Sequence, residues 1–247
     1  MWFASLGAPD SLVEQCRRIL SPDEQDRADR FHFTRDRNRF VVGRAFLREL
    51  LGEYTGDAPS VLQFEYSPYG KPRLRENPDI AFNVSHSSDR AVYAVTRASQ
   101  IGVDIEVLNS KPSDLDVAAQ FFSAAEVRDY LSLPSDLRSR AFLSCWTRKE
   151  AFIKARGEGL SLPLQDFDVT LLPGAKPELM RTAWSGTESA EWELFDISDG
   201  CPGSVAALAV RARCSDVRLG DLALGAGGLE RRTTSRATSG PHEAAQP

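Results

Sequence analysis

Little in this chain is basic enough, apolar enough or cysteine-rich enough to place it in a special class. Lys and Arg number 30 against 35 Asp and Glu, a net charge of −5, so nothing global points to nucleic acid. The four cysteines, Cys16, Cys145, Cys201 and Cys214, form no CxxC pair and no framework spacing. They read as free thiols of a reducing compartment. No apolar run is long enough to span a bilayer, and the opening MWFASLGAPD lacks the basic stretch and apolar core of a signal peptide. A cytoplasmic protein without membrane contact is expected. Also missing are GxxxxGK[ST], a dinucleotide fingerprint after a strand, HExxH and a GxSxG elbow around Ser85. Phosphate or metal chemistry, if present, does not use the commonest nucleotide folds.

What is present is an ordinary globular composition, 42% hydrophobic over 247 residues, enough for one large domain or two small ones. SPDEQDR starts a helix, with Ser21 as N-cap, Pro22 at the first position and Glu24 at the third. A long arginine-rich helix, RNRFVVGRAFLRELLGEY, follows, then the turn SPYGKPRL and strands IAFNVSHSS and RAVYAVTR. The second half opens with strand QIGVDIEVL, continues with helices around DVAAQFFSAAEVRDYLSL and RAFLSCWTRKEAFIKARG, and closes with strands near FDVTLL, EWELFDI and SVAALAVRA. Helices mixed with short, mostly antiparallel strands are an α+β pattern. Two similar α/β lobes are expected, 1–100 and 101–220, followed by a disordered, Gly/Ser/Thr-rich tail over 221–247 that contains His242. Clefts between lobes favour ligands.

The strand between the lobes carries the sharpest question. Ile101, Val103, Ile105 and Val107 alternate, which sets Asp104 and Glu106 together on the other face. Carboxylates at that spacing lie ~7 Å apart and repel by roughly 2 kcal/mol at an effective dielectric near 20. On a surface, solvent absorbs this. In a cleft the pair needs a cation, and hard oxygen ligands suit Mg²⁺. Glu150 falls at the edge of the apolar arc formed by Phe142, Cys145, Trp146, Phe152 and Ile153, with Lys154 one turn on. Taken alone it is either half of a surface ion pair or a desolvated acid in want of a cation. The turn holding Lys71, Pro72 and Arg73 is either an ordinary turn or a cationic loop. His86, in phase with Phe82 and Val84, is either a satisfied core residue or a site residue. Most of Arg27, Arg30, Arg35, Arg37, Arg39, Arg44 and Arg48 read as a solvated face, with one or two available to a phosphate.

Taken together these stretches resemble a known family. Ile101-Gly102-Val103-Asp104 followed by Trp146, Thr147, Lys149, Glu150, Ala151 and Lys154 is similar to the paired signature of 4′-phosphopantetheinyl transferases. YGKPRL and FNVSHS look like two further motifs of the longer, two-lobed members that activate surfactin synthetase, and the order holds from about Ser21 to about Val169. The resemblance implies two α/β lobes in a pseudo-twofold arrangement. It implies transfer of the phosphopantetheine arm of coenzyme A to a serine of an acyl or peptidyl carrier protein, releasing adenosine 3′,5′-bisphosphate. Asp104, Glu106 and Glu150 would hold Mg²⁺, with Mn²⁺ as a substitute. Glu150 would deprotonate the serine, directly or through a metal-bound water, and Lys154 would stabilise the departing phosphate. Lys149 would neutralise phosphate charge or orient its helix. Arg39, Lys71, Pro72, Arg73, Ser85 and His86 would line the coenzyme A site, with Arg27 as a second contact to the 3′-phosphate. Glu24 stands where the two-lobed type can carry a lysine, which leaves that first-turn contact to Arg27 and Arg39. A monomer is implied, because one chain holds both halves, and it would serve polyketide, nonribosomal peptide or siderophore pathways. The segment from Lys111 to Tyr130, with Phe121, Phe122 and Val127, is either core or a carrier-docking surface. Two competing readings remain: another Mg²⁺-dependent transferase acting on a nucleotide pyrophosphate, and a catalytically silent carrier-binding module.

Overall fold

A computed structural model describes residues 1–97, 100–108, 115–211, 217–225 and 228–237. In the first lobe, β1 (Trp2–Ser5) leads into α1 (Asp10–Arg17), α2 (Pro22–Asp29) and α3 (Thr34–Thr55), followed by β2 (Phe64–Tyr66), β3 (Pro72–Leu74), β4 (Ile80–Ser87) and β5 (Arg90–Arg97). The second lobe repeats that order with β6 (Gln100–Val107), α4 (Leu115–Phe121), α5 (Ala124–Ser132), α6 (Ser135–Arg156), β7 (Phe167–Val169), β8 (Leu179–Thr182), β9 (Trp192–Asp196) and β10 (Ser204–Arg211). The strand orders match as well, β1-β5-β4 in one sheet and β6-β10-β9 in the other, antiparallel throughout. The fold is therefore α+β with two similar lobes, as expected.

Each lobe is built on one long helix. The helices α3 and α6 are both 22 residues long and both end at a left-handed glycine, Gly56 and Gly157. α3 packs on one face of the first sheet through Val42, Phe46, Leu50, Ala91 and Tyr93. The other face of that sheet, with Phe3, Val92 and Ala94, meets Ile101, Val103, Ile105 and Leu208 of the second sheet. α6 covers the far side through Phe152, Ala155, Ala207 and Ala209. The layers run helix, sheet, sheet, helix, and apolar burial between them drives the assembly.

A buried ion pair recurs in both lobes. Glu24, in the first turn of α2, accepts from its own N-cap Ser21 N–H at 3.1 Å and also holds Arg44 and the buried Arg48 of α3. Glu126, in the first turn of α5, accepts from Ser123 N–H at 2.8 Å and pairs with Lys149 of α6, also at 2.8 Å. Lys149 is fully buried and donates to Leu164 O and Phe167 O at 2.7 and 2.6 Å. It orients its helix, and no route leads from it to a phosphate.

Two expectations need correction. DVAAQFFSAAEVRDYLSL is two helices, because Ser123 accepts Glu126 N–H as an N-cap and restarts the chain after Phe121. Phe122 is core, its ring centroid 5.1 Å from that of Phe142 with the planes tilted, while Phe121 and Val127 are half-buried against the same cluster. Lys111 to Asp114 lie outside the described residues. Finally, residues 221–225 and 228–237 are strands and not a disordered tail. β11 (Val217–Gly225) runs parallel to β1, and β12 (Gly228–Ala237) pairs antiparallel with β11, so the chain returns to the first lobe and extends its sheet. Val217, Leu219 and Leu222 are buried there, the pairing register shifting between Leu219 and Gly220, and composition alone hid them. His242 lies outside the described residues.

Gly102 decides how near α6 comes to β6. A Cβ at this position would collide with Ala151 O and Ala155 N, main-chain atoms that cannot step aside. Replacing it with alanine is expected to cost roughly 1–3 kcal/mol of stability through overpacking. A lowered urea midpoint checks this, and an unchanged midpoint contradicts the close approach.

Candidate active site

The close approach of α6 to β6 brings its carboxylate and ammonium groups to the free edge of β6, where β4 of the other lobe arrives. The two edge strands meet through side chains. Asn83 Oδ1 accepts Val103 N–H at 2.9 Å, and Ser87 Oγ accepts Val107 N–H at 3.2 Å. These side chains satisfy edge groups that would otherwise be orphaned. Between them Ser85 Oγ donates to Asp104 Oδ1 at 2.7 Å, and Ser87 Oγ donates to Glu106 Oε2 at 2.7 Å. Lys154 Nζ closes the arrangement, donating to Asp104 Oδ1 at 2.6 Å and to Ser85 Oγ at 3.0 Å.

The three acids feel one another. Asp104 is only 4% exposed, and burial pushes its carboxyl above the usual range, opposed by the Lys154 ammonium. Glu106 is raised by burial, opposed by its bond from Ser87, and raised further by the charge on Asp104. Glu150 is raised by burial and then by Asp104, with Lys154 acting the other way. It makes no hydrogen bond or ion pair with the described residues. Asp104 Oδ2 is buried with no partner, a cost of about 1–3 kcal/mol for a neutral group and more for a charged one. Among the described residues, no three Asp, Glu, His or Cys side chains converge closely enough to hold a metal ion as they stand. The unpartnered oxygen and the mutual repulsion are nonetheless what an oxygen-ligated cation would relieve, so this donor set fits one.

Beside the acids opens a cavity of about 550 Å³ between α3 and β4. Arg27, Phe31, Arg39, Phe40, Pro72 and His86 line it. The Arg27 guanidinium lies 5.1 Å from the Phe40 ring centroid. Its location follows from strand alternation: Ser85 is buried toward the acids, whereas its neighbour His86 is exposed in the cavity. Crowding lowers the proton affinity of His86, and the nearby charges of Lys154 and Arg39 lower it further.

Of the residues singled out from sequence, Asp104, Glu106, Glu150, Lys154 and Ser85 therefore gather at the seam, and Arg39, Arg27, Pro72 and His86 at the cavity. Lys71 and Arg73 join neither group. Lys71 Nζ donates to Ile101 O at 3.1 Å and Ala155 O at 2.8 Å, tying the turn before β3 to β6 and the end of α6. Burial there lowers its pKa to about 8. Arg73 is exposed and paired with Glu65 at 2.7 Å. Glu24 is buried and held by Arg44 and Arg48. Sequence reading missed Ser87 and Asn83. Their only sequence signal is the alternation Asn83, Ser85, Ser87, which places three polar side chains on one face of β4.

Two family descriptions match the chain, the 4′-phosphopantetheinyl transferase superfamily over residues 100–210 and the N-terminal 4′-phosphopantetheinyl transferase domain over residues 9–98. The chain belongs to the 4′-phosphopantetheinyl transferase superfamily. The 4′-phosphopantetheinyl transferase HetI of a Nostoc strain is 36% identical across 83% of this chain and 86% of its own length. The 4′-phosphopantetheinyl transferase Sfp of Bacillus subtilis is 36% identical across 64% of this chain and 69% of its own. The solved structure of Thermotoga maritima holo-[acyl-carrier-protein] synthase covers 58% of this chain at 17% identity and a TM-score of 0.36. Membership makes this phosphopantetheinyl transferase an enzyme of group transfer. No described helix is long and apolar enough to cross a membrane.

The raised acids have a consequence for stability. The carboxyl of Glu150 in the fold lies above its unfolded value of about 4.3, so the fold disfavours its ionised form. That penalty is absent at low pH and sets in as pH rises from the unfolded value through the raised one. Glu150→Gln is expected to stabilise the metal-free protein at pH 7 and to match wild type near pH 4, read by urea unfolding at both. An equal effect at the two pH values would assign it to packing instead.

Proposed function

We infer that coenzyme A is the donor and that a serine of an acyl or peptidyl carrier protein is the acceptor, as the family name and the site chemistry together favour. In this reading the nucleotide end of coenzyme A enters the cavity between α3 and β4. Arg39 and Arg27 meet the 3′-phosphate with charge-assisted hydrogen bonds, and the Phe31 and Phe40 rings give apolar contact. The pyrophosphate then lies past His86, over Ser85 and the acids.

The reaction is attack of the serine oxygen on the β-phosphorus. A new P–O bond forms to the carrier, and the P–O bond to the adenosine bisphosphate breaks in line. Glu150, half-buried and without a hydrogen-bond or ion-pair partner among the described residues, accepts the serine proton, and the raised proton affinity of that carboxyl suits a general base. Lys154 neutralises the charge that builds on the departing phosphate. Asp104, Glu106 and Glu150 would hold Mg²⁺ or Mn²⁺, which supplies charge neutralisation of the pyrophosphate oxygens when bound. One observation carries the reading: a buried carboxylate with an unpartnered oxygen, gripped by a lysine and a serine and flanked by two more acids, adjoins a cavity lined with arginine. The three cysteines among the described residues, all buried and free, favour a reducing, cytoplasmic location, and both halves of the site in one chain favour a monomer.

The test is direct. Incubation with coenzyme A, Mg²⁺ and an apo carrier protein should add the mass of one phosphopantetheine to the carrier, and a chelator should stop it. Asp104→Ala and Glu150→Gln should each lower turnover by roughly 10²–10⁴-fold with the fold intact. Lys154→Ala should lower kcat more than it raises KM for coenzyme A, whereas Arg39→Ala should act chiefly on KM. Tight carrier binding without any mass gain would make the protein a binder instead, and near-normal turnover of Glu150→Gln would remove the base.

A further inference from the structure

The acids at the seam are not held alike. Asp104 is gripped by Ser85 and by Lys154, whereas among the described residues the only hydrogen bond to the Glu106 side chain comes from Ser87. A serine hydroxyl has one proton and two lone pairs. The Val107 N–H, at 3.2 Å, fills a lone pair of Ser87, so its proton is directed at Glu106 Oε2, 2.7 Å away. The same main-chain contact fixes the hydroxyl oxygen in place. Glu106, on a strand end with a half-exposed side chain, has no other hydrogen bond among the described residues to fix its orientation.

We propose that Ser87 is a positioning residue for the cation site: its hydroxyl holds Glu106 in the orientation in which Glu106 joins Asp104 and Glu150 in binding a divalent ion. Groups that orient a ligand in this way govern metal affinity without touching the metal. Ser87 is absent from the coenzyme A cavity, so its effect falls on the metal and not on the nucleotide. The proposal rests on the metal reading above.

The experiment measures Mn²⁺ binding by electron paramagnetic resonance, with coenzyme A present and no carrier, beside the Mg²⁺ dependence of turnover. Ser87→Ala should weaken Mn²⁺ binding roughly ten-fold or more and raise the Mg²⁺ requirement to match, with KM for coenzyme A unchanged. Ser87→Thr, which keeps the hydroxyl, should restore both. If Ser87→Ala does not fold, Ser87→Cys, a weaker donor of similar size, should show the same loss in part. Mn²⁺ binding by Ser87→Ala equal to wild type overturns the role and leaves the cation site standing. So does a Ser87→Thr variant as weak as Ser87→Ala, since packing then explains the loss. Wild-type protein that binds no Mn²⁺ removes the cation site and the role of Ser87 together.

Discussion

The contact between β4 and β6 governs everything else in the site. Both are edge strands, and two such edges normally either pair through their main chains or are kept apart. Here they do neither. Asn83, Ser85 and Ser87 reach from β4 and satisfy the free N–H groups of Val103 and Val107, or take the carboxylates of Asp104 and Glu106. Main-chain pairing would have fused the sheets and left no room for acids between them. Side-chain pairing keeps a narrow polar seam in an otherwise apolar interface. The seam carries a cost: three carboxylates are pushed toward protonation, and one oxygen of Asp104 has no partner. Lys154 offsets part of this. Sites that tolerate such a cost commonly do so because the chemistry requires it.

The duplicated architecture shows why there is one such seam and not two. Both lobes use a long helix ending in a left-handed glycine, and both tie it down with a first-turn glutamate on a buried cation, Glu24 with Arg48 and Glu126 with Lys149. By the repeat of element order, β1 corresponds to β6. Yet the outer edge of β1 is occupied by β11, which pairs with it in parallel, while the outer edge of β6 is open to β4. The C-terminal hairpin thus closes the position equivalent to the active seam. Gly200 lies so close to the Phe3 ring that a Cβ there would overlap it, and Phe3 packs into the apolar layer between the sheets.

What could be read from the sequence follows from locality. The alternation in QIGVDIEVL, the SPDE start of α2 and the long run of α3 depend on neighbours within a turn or two, and each formed where expected. The acids and Lys154 were legible because a strand and a helix each impose a fixed phase on their side chains. Residues whose roles are set by distant partners were not. Lys149 looks like a surface charge on α6, but that helix is covered on nearly every side, so a polar residue there must find a buried partner. Lys71 sits in a turn that reads as exposed, and only the fold brings Ile101 O and Ala155 O to its ammonium. The strands β11 and β12 carry too few apolar residues to stand out, and they are ordered by an edge that β1 supplies.

The arginines of α2 and α3 divide by the same logic, and the division bears on the metal. Arg48 is buried on Glu24, and Arg44, though it also lines the cavity, is held by the same carboxylate, which leaves Arg27 and Arg39 as the lining guanidiniums that Glu24 does not hold. Burial first of all lowers the proton affinity of His86, and the charges of Lys154 and Arg39 lower it further. One residue away along β4, the seam is negative. A coenzyme A molecule spanning from the cavity to the seam would have its 3′-phosphate drawn in at one end and its pyrophosphate facing Asp104, Glu106 and Glu150 at the other. Like charges at such distances repel strongly in a partly dry cleft. Lys154 supplies a single positive charge there and already spends it on Asp104. A phosphate anion can be stable over three acids only if further positive charge enters with it, and a divalent cation is the simplest carrier of that charge.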